Sequence, residues 1–156
     1  MNILQMRKED FFEIRQNLMH FWGDRHKVFA PLHHPMFIYE FGNTAYMIKD
    51  NNEIVAYLLG FLAQTSNTAY VHMIAVKPSH QKKEYGRSLY DHFLGYAKSK
   101  GCNKVRAITL PKNIASINFH RKIGMKLLGE KNADGINVVK DYSGPGQDMI
   151  VFEKEI

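Results

Sequence analysis

The chain of 156 residues is long enough for one compact domain and too short for two ordinary ones. Its 45% hydrophobic and 23% charged residues are typical of a folded globular protein, and no apolar run approaches the ~20 residues of a membrane span. The first residues mix acidic and basic side chains where a secretory signal would be apolar, which favours a cytoplasmic protein. Lysine and arginine (21) exceed aspartate and glutamate (15) by six, mainly between Lys77 and Lys126, which favours a localised site for an anion.

The first half of the chain combines helical and alternating apolar patterns. It predicts, in order, a strand at 3–6, an amphipathic helix at 8–22, a loop or short second helix at 24–35, and strands at 44–48, 54–64 and 69–76. The polar turn at 49–53 predicts an antiparallel hairpin between the first two of these three strands.

The second half alternates helices with strands, and Gly101 and Gly124 are helix stop signals. It predicts, in order, a helix at 87–100, a strand at 104–110, a helix at 114–123, a strand at 125–128, a long loop at 129–147 and a last strand at 149–153. Because crossovers between parallel strands are right-handed, the simplest sheet is mixed, with a parallel pair around the helix at 87–100. We therefore expect one α/β domain over residues 1–156.

Cysteine and histidine usage argues against a metal site. Cys102 is the only cysteine, so an intrachain disulfide and a cysteine-based metal site are excluded, and we interpret it as a packing residue. His33 and His34 are adjacent and have no third ligand at zinc spacing. We expect both at the rim of a substrate cleft.

The segment VKPSHQKKEYGRS, from Val76 to Ser88, joins an apolar strand to a helix through a basic turn with one glycine. Backbone N–H groups in such a loop can converge on an anion near the positive end of a helix dipole. Basic side chains add further donors: His80, Lys82, Lys83 and Arg87. The alternative is an ordinary strand-to-helix turn with solvated charges.

A second segment, NIASINFHRKIGM, spans Asn113 to Met125. Asn113, Ser116 and His120 share one helical face with Ile117. By itself this is a helix with an asparagine cap and a half-buried histidine.

With both segments in register, residues 73–125 resemble the GNAT superfamily of acetyl-CoA-dependent N-acetyltransferases. The family's (Q/R)xxGx(G/A) loop matches Gln81 to Gly86, and its second signature matches Asn113, Phe119-His120 and Gly124-Met125. The resemblance covers essentially the whole chain, most weakly before Thr44. It implies a mostly antiparallel sheet of about six or seven strands, with a parallel pair splayed around the cofactor, acetyl-CoA.

The resemblance also implies which residues hold coenzyme A. The backbone of Ile74, Ala75 and Val76 would contact the pantetheine arm and the acetyl carbonyl. The pyrophosphate would be held by Gln81, Lys82, Lys83, Glu84, Tyr85, Gly86, Arg87 and Ser88. Asn113 and Ser116 would bond the pantetheine region, and Phe119 would pack against the cofactor.

Two residues depart from the family pattern. Glu84 replaces the first glycine of the loop, which adds a carboxylate and removes the conformational freedom of glycine. His120 replaces the tyrosine that, in many family members, protonates the departing thiolate. Protonated imidazole is a competent acid near neutral pH, so we predict that His120 is the general acid.

The predicted general base is His72, which shares a strand face with Ile74 and Val76 by alternation. Some aromatic-amine acetyltransferases of the superfamily also place a histidine on this strand. The alternative is a histidine whose bonds are satisfied within the sheet. Glu40 is the reserve candidate, acting directly or through water.

Acceptor-binding residues are expected in the first half and in the C-terminal loop. Trp22, Phe37 and Tyr39 line the acceptor pocket or cap the core. The loop at 134–148 contains DYSGPG, which resembles a feature of an uncharacterised branch of the superfamily. We expect Tyr142 and Asp141 to reach the acceptor site or a dimer partner.

The resulting interpretation is a cytoplasmic enzyme that transfers acetyl directly from acetyl-CoA to a primary amine of a small molecule, peptide or protein, without a covalent intermediate. The rival is a catalytically weak module that binds coenzyme A or acyl-CoA. A nucleic-acid binder rests on net charge alone, because basic residues interleaved with aromatics in a known module are missing from the sequence. A homodimer is common in the family and is expected here; a membrane partner is not.

Overall fold

The computed structural model describes residues 2–156. Their helices and strands follow in this order: β1 Ile3–Gln5, α1 Lys8–Gln16, α2 Met19–Trp22, α3 His26–Phe29, α4 Met36–Tyr39, β2 Ala45–Asp50, β3 Glu53–Leu62, β4 Thr68–Val76, α5 Tyr85–Ser99, β5 Lys104–Thr109, α6 Ile114–Lys122, β6 Lys126–Leu127, β7 Glu130–Lys131, β8 Asn137–Val138 and β9 Ile150–Glu155. Seven strands form a mixed sheet in the order β1-β2-β3-β4-β5-β9-β6, and β7 and β8 form a separate pair.

The parallel pair of the sheet is β4 with β5, in which Thr68 lies opposite Lys104 and Tyr70 opposite Arg106. The pairs β1–β2, β2–β3, β5–β9 and β6–β9 are antiparallel. The predicted α/β fold, with a mostly antiparallel sheet and a parallel pair, is confirmed.

Contacts within the chain divide it into two compact units. Unit 1 comprises residues up to Phe61 together with Val71–Lys100, and unit 2 comprises Leu62–Tyr70 and Gly101–Ile156. A single domain over the whole chain stays a prediction.

Unit 1 is built around the β2–β3 hairpin and α5. The turn of the hairpin is Asn51-Asn52, with φ of 48° and 65°, and Asp50 lies opposite Glu53. Asparagine tolerates these left-handed conformations better than most residues, which explains a two-residue turn here. The hairpin predicted from the polar segment is confirmed. Helix α5 buries its apolar face through Leu89, Tyr90 and Phe93.

The prediction of one continuous helix at 8–22 is wrong, because the segment forms two helices, α1 and α2. Helix α1 ends at Gln16. The side-chain Nδ2 of Asn17 donates a hydrogen bond to the carbonyl of Glu13 over 2.8 Å. A polar side chain that bonds nearby backbone competes with the helix. Helix α2 starts two residues later and still buries Phe21, so the apolar periodicity survives the break.

The predicted loop at 129–147 is also more ordered than expected. It contains the β7–β8 pair, and the DYSGPG segment is closed by Asp141 and by Asp148, which follows it. Oδ1 of Asp148 accepts the N–H of Asp141 at 2.9 Å, and Oδ1 of Asp141 accepts the N–H of Gly146 at 2.7 Å. Such hydrogen bonds from backbone N–H groups to aspartate side chains hold a segment without apolar burial, so a hydrophobicity pattern misses them.

Candidate active site

The phosphate loop, which we define as Lys77–Glu84, connects β4 to α5 in unit 1. It starts with a 3₁₀ turn over Pro78–His80 and then exposes Gln81, Lys82 and Lys83. Proline fixes φ at the start of the turn, and the charged residues that follow have no apolar surface to bury. The loop therefore presents its basic side chains to solvent.

The start of α5 supplies backbone donors beside this loop. The first hydrogen bond of the helix runs from the N–H of Ser88 to the carbonyl of Glu84, over 2.9 Å. The N–H groups of Tyr85, Gly86 and Arg87 precede it and have no acceptor within the helix. Together with the helix dipole they make this end of α5 suited to an anion.

Glu84 is the N-terminal cap residue of α5 and has φ +58°, in the left-handed region. A residue with a Cβ is strained there, whereas glycine is not, so the family's glycine at this position has a conformational reason. The carboxylate of Glu84 lies 3.9 Å from Arg87, and both side chains are about half exposed. Lys82 has φ +66° and shares the strain.

Strand β4 alternates as the sequence predicts. Val71, Met73 and Ala75 are buried, whereas His72, Ile74 and Val76 are half-buried on the opposite face. The three half-buried residues therefore share one face of β4, as the alternation predicts.

His72 is neutral and held at one nitrogen. Its Nε2 lies 2.8 Å from the carbonyl of Leu32, and a carbonyl only accepts, so Nε2 carries the proton and Nδ1 the lone pair. Its ring stacks on Phe37, with centroids 4.1 Å apart and planes 13° apart. Burial lowers the pKa of His72, and the bond to Leu32 opposes this only in part. Within residues 2–156, Nδ1 has no hydrogen-bond partner, so it can accept a proton.

Helix α6, in unit 2, starts as predicted with an asparagine cap. Oδ1 of Asn113 accepts the N–H of Ser116 at 3.3 Å, and Nδ2 donates to Oγ1 of Thr109 at 3.0 Å. Both ends of the amide are thus used within the protein. Contact of Asn113, Ser116 and Phe119 with the cofactor stays a prediction.

His120 is almost fully buried in unit 2, with 4% of its surface exposed. Its Nδ1 lies 2.8 Å from the carbonyl of Ser116 and 3.2 Å from the hydroxyl of the same residue. Burial lowers the pKa of His120 from 6.5 to about 4, although the bond to Ser116 acts in the opposite direction. At pH 7 the ring is neutral, which weighs against the predicted acid role; that role stays a prediction.

The aromatic residues predicted for the acceptor pocket occupy different environments. Phe37 is buried, and Trp22 stacks on Phe29 with centroids 4.0 Å apart. Tyr39, 56% exposed, and Glu40 lie at the surface. Of these residues, Phe37 alone stacks on the ring of His72 in the part of the chain that the structure describes.

The expectation that His33 lies at a cleft rim is wrong. His33 is fully buried, with Nδ1 2.8 Å from the carbonyl of Phe29 and Nε2 2.7 Å from the hydroxyl of Tyr57. That hydroxyl also accepts the indole N–H of Trp22 at 2.9 Å. The network gives both ring nitrogens of His33 a hydrogen-bond partner, which is why a histidine is tolerated in the core. His34 is exposed, and its place at a cleft rim stays a prediction.

Tyr142 lies at the surface of unit 2, 43% exposed, in the DYSGPG turn. Burial and the nearby Tyr142 raise the pKa of Tyr70, on β4, to about 12. The turn therefore lies next to the sheet, but contact of Tyr142 with an acceptor stays a prediction.

A groove of about 720 Å³ in unit 1, lined in part by Tyr46, His92 and Tyr96, includes none of the predicted site residues. No group of three metal-binding side chains occurs among residues 2–156. In the same residues, every helix is too short or too polar to cross a membrane.

The sequence profile of the acetyltransferase (GNAT) family matches residues 6–125, and the chain belongs to this family. The family takes its acetyl group from acetyl-CoA, in agreement with the predicted cofactor. No curated protein sequence matches the chain significantly.

Solved structures share the fold at low sequence identity. The ribosomal-protein-S18-alanine N-acetyltransferase from Escherichia coli is 17% identical, with 99% of this chain and 93% of that chain covered and a TM-score of 0.68. An aminoglycoside 6'-acetyltransferase type Ii is 17% identical, with coverages of 99% and 97% and a TM-score of 0.73. The PaiA N-acetyltransferase from Thermoplasma acidophilum, solved with coenzyme A, is 15% identical, with coverages of 99% and 98% and a TM-score of 0.73.

Proposed function

We propose that the protein is an N-acetyltransferase that moves an acetyl group from acetyl-CoA directly to a primary amine. The observation that carries the proposal lies in unit 1, where a neutral histidine on β4 is followed by the phosphate loop and the open N-terminus of α5. Acetyl-CoA supplies an activated thioester and a diphosphate. The chain has to hold the diphosphate and take a proton from the amine.

The phosphate loop and the first turn of α5 together fit a diphosphate. Lys82, Lys83 and Arg87 are exposed, and the first-turn N–H groups of α5 add uncharged donors. Glu84 is the one carboxylate in this set, and Arg87 lies within ion-pair distance of it. Three cations against one carboxylate leave the loop attractive to phosphate.

His72 is the proposed general base. An amine attacks a thioester only as the free base, so an ammonium acceptor must first lose a proton. Attack forms the C–N bond and breaks the C–S bond of the thioester, the nitrogen gives up a second proton, and the departing thiolate of coenzyme A takes up a proton to become the free thiol. Nδ1 of His72 can accept it, while the bond from Nε2 to Leu32 and the stack on Phe37 fix the ring orientation. The lowered pKa keeps the imidazole neutral near pH 7, which is the state that a base requires.

Glu40 stays the reserve base, and the acceptor contacts of Trp22, Phe37, Tyr39 and Tyr142 are part of the proposal. The acceptors named for the solved relatives, a ribosomal-protein alanine and an aminoglycoside, guide the choice of amines to test. A cytoplasmic location and a homodimer are further predictions from the sequence.

A second candidate function is a module that binds coenzyme A without turnover. Two observations favour it: the carboxylate of Glu84, at a strained backbone position in the phosphate loop, and the low pKa of His120. Both residues depart from the family pattern at these positions.

Calorimetry with coenzyme A, combined with thiol release from acetyl-CoA over a panel of amines, separates the two functions. We expect binding together with amine-dependent thiol release, and mass spectrometry should find the acetyl group on nitrogen. Binding without thiol release for any amine would favour the module, and absence of binding would refute both.

A further inference from the structure

The turn of the β2–β3 hairpin brings two carboxylates to the phosphate loop. Oε1 of Glu53 lies 2.6 Å from Nζ of Lys77, and Oδ2 of Asp50 lies 3.4 Å from Nε2 of His80. Asp50 and Glu53 are paired across a turn of only two residues. One short hairpin end therefore contacts both ends of the segment 77–80. We call this pair of contacts the acidic clamp.

Lys77 is held firmly at the start of the loop. Its side chain is only 10% exposed, and Nζ lies 5.3 Å from the ring centroid of Phe21. Its backbone N–H donates to the carbonyl of Val55 over 2.9 Å. A nearly buried ammonium needs a partner, and Glu53 supplies it. Lys77 is thus committed to the clamp and anchors the loop to β3.

His80 connects the clamp to α5. Nδ1 lies 2.9 Å from the hydroxyl of Ser79, while Nε2 faces Asp50. The ring also stacks with Tyr85, the first residue of α5, with centroids 6.2 Å apart and planes 22° apart. This ring therefore contacts both the hairpin turn and the first residue of the helix whose N–H groups are proposed to bind the anion.

We propose that Asp50 and Glu53 are positioning residues for coenzyme A: they order the phosphate loop before the cofactor binds. This inference rests on the proposed function. A loop that is already ordered loses less conformational entropy on binding, so the clamp increases affinity without touching the ligand.

The sign of the mutational effect distinguishes positioning from simple electrostatics. Asp50→Asn and Glu53→Gln each remove a negative charge near a site for an anion. Long-range electrostatics alone would therefore make coenzyme A bind more tightly. If the carboxylates act by positioning, the same substitutions weaken binding.

The experiment measures coenzyme A affinity by calorimetry and hydrogen exchange of the backbone amides at 79–88 in the ligand-free protein. For both variants we expect the dissociation constant to rise roughly tenfold and exchange to accelerate in this segment. Asp50→Glu, which keeps the charge, should retain wild-type behaviour. Asp134→Asn, at an exposed carboxylate in unit 2, is the matched control.

An unchanged or lower dissociation constant in both variants would overturn the inference, and so would weaker binding with unchanged loop exchange. Exchange that accelerates throughout the protein would point to general destabilisation and also overturn it. If the wild-type protein bound no coenzyme A, the proposed function would fail; the exchange data would then still show whether the clamp orders the loop.

Discussion

The imidazole of His120 stacks on the ring of Phe152, with 4.2 Å between the ring centroids and 12° between the ring planes. Phe152 is fully buried on β9, and His120 is held through Nδ1 by the carbonyl of Ser116. Because a carbonyl only accepts, Nδ1 carries the proton of the neutral ring. The position is thus filled by a neutral aromatic side chain that packs as part of the core of unit 2.

His120→Phe is therefore expected to leave the turnover number within about threefold of wild type, since general acids contribute ~100-fold or more. With a pKa of about 4, only about one ring in a thousand is protonated at pH 7. Steady-state kinetics from pH 6 to 9 provide the measurement, with His72→Phe showing that the assay detects a lost catalytic group. A fall of tenfold or more, with a changed pH profile, would establish His120 as the acid.

Substitutions at Glu84 should strengthen coenzyme A binding. Glu84→Gln removes the negative charge and should lower the dissociation constant about threefold at low salt, with a smaller effect at high salt. Glu84→Gly also removes the strain at φ +58° and should raise the free energy of unfolding by ~0.5–1 kcal/mol. Calorimetry and urea unfolding test the two effects separately. Weaker binding by both variants would show that the carboxylate assists the loop.

The sequence predicts the order of the main elements because their signals are local. Alternation defines β4, and the asparagine cap and glycine stop define α6. The break after α1 is missed because Asn17 bonds the backbone of Glu13, an interaction that leaves the apolar periodicity intact.

The candidate site is only partly predictable. The phosphate loop and the face of His72 follow from motif and alternation, whereas the burial of His33 depends on Tyr57, a residue 24 positions away. The acidic clamp is missed for the same reason: Glu53 and Lys77 are distant in sequence and meet because β3 and β4 are neighbours in the sheet. The sequence signal for the clamp is the opposite charge of the two segments: carboxylates flank the hairpin turn, and basic side chains lie in the loop.

His72→Gln is expected to reduce the turnover number by roughly 100-fold to 10,000-fold while leaving coenzyme A affinity unchanged. Glutamine can still donate to the carbonyl of Leu32, but it cannot accept a proton from an ammonium. The measurement is turnover with whichever amine releases most thiol, next to calorimetry with coenzyme A. Glu40→Gln serves as the control and should keep full turnover; the reverse pattern would assign the base to Glu40.

Cys102→Ala should retain full turnover, because the proposed transfer is direct. Burial raises the pKa of the Cys102 thiol, which leaves less of the nucleophilic thiolate at neutral pH. Kinetics of the variant, and mass spectrometry of the wild-type protein mixed with acetyl-CoA alone, provide the measurement. Loss of turnover together with an acetylated cysteine would contradict direct transfer.

Stability should fall with decreasing pH because two histidines are buried in the neutral state. Burial lowers the pKa of both His33 and His120 to about 4, from 6.5. Between these pH values the unfolded chain binds more protons than the folded one. The stabilising contribution of the two histidines to the free energy of unfolding is therefore complete above pH 6.5 and decreases towards pH 4. Each histidine accounts for a loss on the order of 3 kcal/mol across this window.

His120→Phe isolates one of these contributions, since it keeps an aromatic ring against Phe152 and removes the titrating group. Urea unfolding between pH 4.5 and 8 should show a shallower pH dependence for this variant than for wild type. Carboxylates such as Asp10, whose pKa is lowered through its bonds to Lys49 and Arg7 despite burial, contribute equally to both proteins and cancel in the difference. Equal slopes for His120→Phe and wild type would mean that His120 titrates normally in the folded protein and is free to act as an acid.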